Sequence, residues 1–107
     1  MTTFNDRERG EETKYSLDQQ TMFKVTARRN KLLGLWAADL LGLAGDDAAA
    51  YAKEVVISDL EEPGDEDVIR KVMADFDAKG VAKSREDIIA QLTALMPVAV
   101  EQVKSEA

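Results

Sequence analysis

The densest apolar run in the chain is Arg28–Leu43, RRNKLLGLWAADLLGL. After Arg28, Arg29, Asn30 and Lys31 come eight apolar residues between Leu32 and Leu41, interrupted only by Gly34 and Asp39. A run this dense, without Pro and with few β-branched residues, reads as helix rather than strand. Its apolar positions cover most of the circumference, so this helix is expected to sit at the centre with others around it. It is too short and too interrupted to cross a membrane.

The periodicity extends the helix to about residues 17–41, with Phe23, Ala27, Leu33, Trp36, Ala37 and Leu40 as its inward positions and Gly42 as its stop. At 1.5 Å per residue it would be about 35 Å long, so its N-terminal end is expected to protrude from a compact body. A second helix, 46–62, is expected with Asp46 as N-cap and Ala48, Tyr51, Ala52, Val55 and Val56 facing inward. Pro63 forbids its continuation. Asp65 caps a third, 65–79, whose stripe Val68, Ile69, Val72, Met73 and Phe76 follows helical spacing and stops at Gly80. A fourth, 84–104, opens on the capping box Ser84-x-x-Asp87, carries Ile88, Ile89, Leu92, Leu95, Met96, Ala99 and Val103 inward, passes Pro97 with a bend, and frays after Lys104. The fold class is therefore all-α: a single-domain four-helix bundle, residues 20–107, preceded by the segment 1–19.

That segment is different in kind. Before Leu17 its large apolar residues are Met1, Phe4 and Tyr15. Fixing backbone costs about 1–2 kcal/mol per residue, and burying one Phe-sized side chain returns about 1.5–3 kcal/mol. Two aromatics do not hold sixteen residues, so the segment is expected to be disordered or partly helical when free and to become helical where a partner supplies apolar surface.

Charge divides the chain in the same place. Residues 1–38 hold seven bases against five acids, residues 39–107 seven bases against sixteen acids, within a net charge of −7. The acidic body argues against nucleic acid, whereas Lys24–Lys31, free of acids between Asp18 and Asp39, suits an acidic partner or the chain's own acidic helices.

The chemistry is sparse. The chain has no Cys and no His, which removes thiol nucleophiles, disulfides, thiolate–imidazole metal sites and the usual general base. None of its serines lies in a nucleophile elbow. Asp46/Asp47 and Asp65/Glu66/Asp67 fall at helix starts, where capping explains them. Asp65-x-Asp67 lacks the Gly and bidentate Glu of a calcium loop, and Gly42-x-x-Gly45 lacks the Lys-Ser/Thr of a phosphate loop. The chain is read as no enzyme, with no metal and no required cofactor. Trp36 and Tyr51 are candidates for stacking on an aromatic ligand such as ATP or ADP, with core packing as the competing reading. No secretory signal is visible, and a cytoplasmic location is expected.

Four stretches carry a resemblance: TTFNDRER at Thr2–Arg9, RRNKLLGLWAADLLG at Arg28–Gly42, AYAKEVV at Ala50–Val56 and PGDEDV at Pro63–Val68. Together they resemble the alphaproteobacterial F-type ATP synthase inhibitor (zeta) subunit family, formerly known only as a domain of unknown function. The resemblance covers nearly the full chain. It implies a four-helix bundle and a protein that blocks ATP hydrolysis by the catalytic head of the synthase, formed by its alpha, beta and gamma subunits. It implies that the N-terminal segment does the blocking, becoming helical at a catalytic subunit interface, and that contact with the membrane is only through the synthase. Phe4 and Tyr15 would then anchor the segment, Arg7, Glu8, Arg9 and Lys14 would set its register, and Lys24, Arg28 and Arg29 would hold the helix stem against acidic partner surface. The alternative kept open is a helical regulatory module that binds adenine nucleotide.

Overall fold

The structure, a computed structural model, describes residues 18–60 and 64–106. Four helices follow one another: α1 (Gln19–Leu40), α2 (Gly45–Ser58), α3 (Glu66–Lys79) and α4 (Arg85–Glu106). The all-α fold expected from the periodicity is what the described residues adopt. α1 touches all three others and lies most extensively against α2 and α4; α3 bridges α2 and α4, which do not meet each other. The described part measures 52 × 29 × 22 Å.

Two apolar clusters explain the elongation. The larger joins Leu33, Ala37 and Ala38 of α1 to Tyr51 and Val55 of α2, Val68, Ile69, Val72 and Phe76 of α3, and Ile88 and Leu92 of α4. The smaller joins Val25 of α1 to Ala99, Val100 and Val103 of α4. The N-terminal half of α1 is therefore sheathed along one side by α4. Protrusion of a bare helix gives way to a two-helix stalk, because α4 continues past Pro97 as one helix of 22 residues. The helix does not end at Lys104. It continues to Glu106, whose carboxylate pairs with Arg28 of α1 at 2.6 Å.

Helix ends show which local signals prevailed. Asp18 caps α1, its carboxylate accepting from Thr21 N–H at 2.7 Å. α1 and α3 both end in a glycine at positive φ, Gly42 (81°) and Gly80 (72°). In each the next residue reaches back to the helix, Leu43 N–H to Ala38 O and Val81 N–H to Phe76 O, both at 2.9 Å. This pairing satisfies carbonyls that a helix end otherwise leaves open. The Ser84–Asp87 box is reciprocal: Asp87 N–H donates to Ser84 Oγ (3.1 Å) and Ser84 N–H donates to Asp87 Oδ2 (2.9 Å).

Three expectations are corrected. α2 begins at Gly45 with Ala44 as its N-cap, so Asp46 lies inside the first turn rather than at the cap. α2 also ends at Ser58, four residues before Glu62. Ser58 Oγ donates to Val55 O at 2.7 Å, and the backbone tightens to three-residue bonds from Asp59 to Val56 and from Leu60 to Ile57; such local bonding competes with helix continuation. Phe23 points outward, 64% exposed, because α4 covers the opposite side of α1.

Candidate functional site

The stalk is where candidate partner residues and described structure coincide. Along α1, Val25, Arg29, Leu33 and Ala37 recur every four residues and are all buried, so the inward line of this helix contains an arginine. Arg29 is 6% exposed and its neighbour Asn30 is fully buried. The guanidinium donates from Nη2 to Asp65 Oδ1 at 2.6 Å and to Asn30 Oδ1 at 3.0 Å, with Nε also reaching Asn30 Oδ1 at 3.2 Å. A planar, permanently charged group with several donors suits this junction better than Lys would. The link ties the middle of α1 to the start of α3. It also explains why Asp65, at the N-cap position of α3, makes no capping bond with its side chain.

Arg28 faces α4, donating from Nη1 to Gln102 Oε1 at 2.9 Å beside its ion pair with Glu106. Lys24 and Lys31 point into solvent. Of the three stem cations expected to meet a partner, Arg29 is thus committed inside the chain, Arg28 is shared with α4, and Lys24 alone is exposed. Asn30 falls at the skipped position of the inward pattern expected for α1, whereas Arg29 was not expected inside, although its four-residue spacing with Val25, Leu33 and Ala37 was available as a signal. Phe4, Arg7, Glu8, Arg9, Lys14 and Tyr15 lie outside the described residues.

Near the Arg29 junction the electrostatics are uneven. Asn30 Nδ2 and Asp67 Oδ2 are buried without a hydrogen-bond partner among the described residues. Partial burial, with repulsion from Asp65 and Asp67, raises the Asp59 carboxyl, while Arg29 and Asn30 pull the other way. A carboxyl raised on folding favours the protonated folded state, so its stabilising contribution is present in acid and lost as pH rises through the folded-state value. Asp59→Asn, a permanently uncharged isostere, is therefore expected to raise the melting temperature at pH 7 and to leave it nearly unchanged at pH 3. A lower melting temperature at pH 7 would show that the attraction of Arg29 governs instead.

The two aromatic ligand candidates are not brought onto one cavity. Trp36 packs edge-on against Phe76, ring centres 5.8 Å apart. Tyr51 donates its hydroxyl to Asp75 Oδ2 at 2.8 Å. Burial and that carboxylate push its phenol well above the ordinary range. Lys71 sits 5.0 Å over its ring. Burial pulls the Lys71 ammonium down, but hydrogen bonds to Asp75 and Glu54 outweigh this and hold it above its usual value. Tyr51 borders an open recess of about 220 Å³ with Leu41, Leu43, Glu54, Asp75, Ala78 and Lys79, below the usual 300–1,000 Å³ of small-molecule sites. A larger apolar groove, about 500 Å³, lies between α1, α3 and α4 and is lined by Arg29, Asp65, Ile69, Ile89, Leu92, Thr93 and Met96. Among the described residues no cluster of acidic side chains is placed to hold a metal, and no helix is long and apolar enough to cross a membrane.

Fold and surface define a class: a small all-helical protein whose body extends into a two-helix stalk, with the polypeptide entering at the stalk's tip. Within that class the chain belongs to the family of ATPase inhibitor subunit zeta, whose family model matches residues 1–102. It is also similar to a protein whose solution NMR structure is known, at 50% identity, with a TM-score of 0.71, covering 79% of this chain and 96% of that one. Among curated proteins no match was found.

Proposed function

We propose that this chain is an inhibitory subunit of the F-type ATP synthase, which blocks ATP hydrolysis by inserting its N-terminal segment, residues 1–19, at a catalytic subunit interface of the head, toward the central rotor stalk. The observation that carries this reading is the reach of the family match, which begins at residue 1 and so includes the segment itself as well as the bundle. The fold supports it. Asp18 is about 16 Å from the level of the Arg29–Asp65 bond, at 1.5 Å per residue, so the segment leaves from the stalk, away from the main core.

Phe4 and Tyr15 provide apolar anchors, the kind of side chain that commonly dominates interface energy. Arg7, Glu8, Arg9 and Lys14 fix register through pairs across the interface, and Lys24 with Arg28 supports the stem. Ordering the segment on binding subtracts from affinity, which keeps the inhibition adjustable. Gly10 adds to that subtraction, since it disfavours helix by about 1 kcal/mol relative to Ala.

The test is ATP hydrolysis by the synthase head of the same cell with purified full-length protein titrated in. Saturable inhibition is expected, and it should tighten about fivefold with Gly10→Ala if the segment binds as a helix, that being the ratio equivalent to about 1 kcal/mol. Absence of inhibition at saturating protein overturns the reading.

A further inference from the structure

We propose that the outer face of α1, from Phe23 and Lys24 through Lys31 to Leu35, is a second docking surface, which meets an acidic protein surface with an apolar recess on the synthase head. The proposal rests on the inhibitory reading above and extends the contact beyond the N-terminal segment onto the folded stalk.

Phe23, Ala27, Lys31 and Leu35 are four residues apart and form one line along the helix, about 18 Å long at 1.5 Å per residue. Lys24, seven residues before Lys31 and eleven before Leu35, shares their side of the helix, about 100° round from Phe23. Phe23 is 64% exposed and Leu35 36% exposed, and both lysines are exposed. Elsewhere on α1, Val25, Leu33, Ala37 and Ala38 are buried under its neighbours, Arg28 and Arg29 are turned to α4 and α3, and the exposed Asp39, next on the line after Leu35, bounds the face at its C-terminal end. Among the described residues no carboxylate forms an ion pair with Lys24 or Lys31. A single exposed apolar residue is ordinary. Two on one line with two outward lysines, in a chain of net charge −7, make a face of opposite sign to the body behind it.

Charge selects the occupant. A polyanion such as nucleic acid would meet the lysines through its phosphates but offers no apolar recess for Phe23 and Leu35. A second copy paired by a twofold axis would set these lysines against themselves, and a head-to-tail pairing onto the acidic body would propagate into filaments. A different protein with an acidic, partly apolar surface satisfies both features, and it increases local concentration for the segment that precedes Asp18.

The test titrates full-length variants into the synthase head and reads ATP hydrolysis. The double variant Lys24→Glu/Lys31→Glu is expected to raise the half-inhibiting concentration about 10- to 100-fold and to reduce the weakening of inhibition by salt relative to wild type. Phe23→Ala should raise it about tenfold. All three positions are exposed, and unchanged thermal melts will separate surface effects from folding. Wild-type inhibition with both variants equally potent overturns the docking face and leaves the N-terminal reading intact. No inhibition by wild type overturns that reading and removes this one with it. Concentration-dependent self-association of wild type, lost in the double variant, would assign the face to a second copy and overturn the proposal.

Discussion

A fragment that begins at Asp18 is expected to be fully folded and to have lost all inhibition of ATP hydrolysis. The folding half of this expectation follows from where the core lies. Among the described residues no member of either apolar cluster precedes Val25, and the first bond of α1 is the cap from Asp18 to Thr21 N–H. Helix signal in circular dichroism should therefore persist, with a melting temperature close to that of the whole chain. The position of the cut matters. A fragment beginning at Gln20 loses the Asp18 cap, and loss of such a cap commonly costs about 1 kcal/mol. In a domain of this size that lowers the melting temperature by about 4–8 °C. Comparing the two fragments separates the cap from the inhibitory segment: both should fail to inhibit, and only the shorter should melt early. A fragment from Asp18 that inhibits as well as the whole chain would place the brake on the bundle. If the outer face of α1 docks as proposed, this fragment should also compete with the whole chain and relieve its inhibition.

What the sequence disclosed, and what it withheld, divides along the range of the interactions involved. The stops at Gly42 and Gly80, the Ser84–Asp87 box and the stripe Val68–Phe76 are each decided within nine residues, and all are visible as spacing. Arg29 is legible only in part: its spacing with Val25, Leu33 and Ala37 marks it inward, but its partner Asp65 is 36 residues away. Taken alone, Arg28–Arg29–Asn30–Lys31 looks like a solvated patch. At 100° per residue, however, two adjacent members of such a patch on a central helix must face inward. Phe23 fails for the complementary reason: its spacing fits the apolar pattern, but which side of α1 receives α4 is a tertiary choice. The candidate site follows the same rule. The motif-level resemblance named a family and an N-terminal segment, whereas the outward turn of Lys24, Lys31 and Phe23 and the pairing of Arg29 with Asp65 emerge only once four helices are packed.

The packing of α1 on α2 yields the largest stability effect expected in the protein. Gly34 lies where these helices approach most closely. A Cβ placed on it would stand 2.6 Å from the Ala52 Cα, 3.1 Å from the Ala52 Cβ and 3.3 Å from the Val55 Cβ. The nearest atom belongs to backbone, so no side-chain rotation relieves the clash, and the helices must separate. Separation uncovers Ala52 and Val55, which are at most 1% exposed, and loosens the contact of Leu33 and Ala37 with Val55 in the main core. Two effects oppose each other in Gly34→Ala. The helix gains about 1 kcal/mol of intrinsic propensity, while overpacking costs about 1–3 kcal/mol. A net loss of roughly 0–2 kcal/mol is expected from these two principles together, toward the upper end because backbone is the obstacle. Gly34→Val adds two further methyl groups without the propensity gain, and the loss should reach about 4 kcal/mol or more, beyond the usual overpacking range because backbone is the obstacle. Total stability for a domain of this size is about 5–15 kcal/mol, so the Val variant should melt at least about 15 °C lower or be unfolded at growth temperature. Urea titration followed by circular dichroism measures both. A Gly34→Ala variant more stable than wild type would show that α2 can slide on α1 at little expense, and the close approach at Ala52 would then not be what fixes the position of α2 on the central helix.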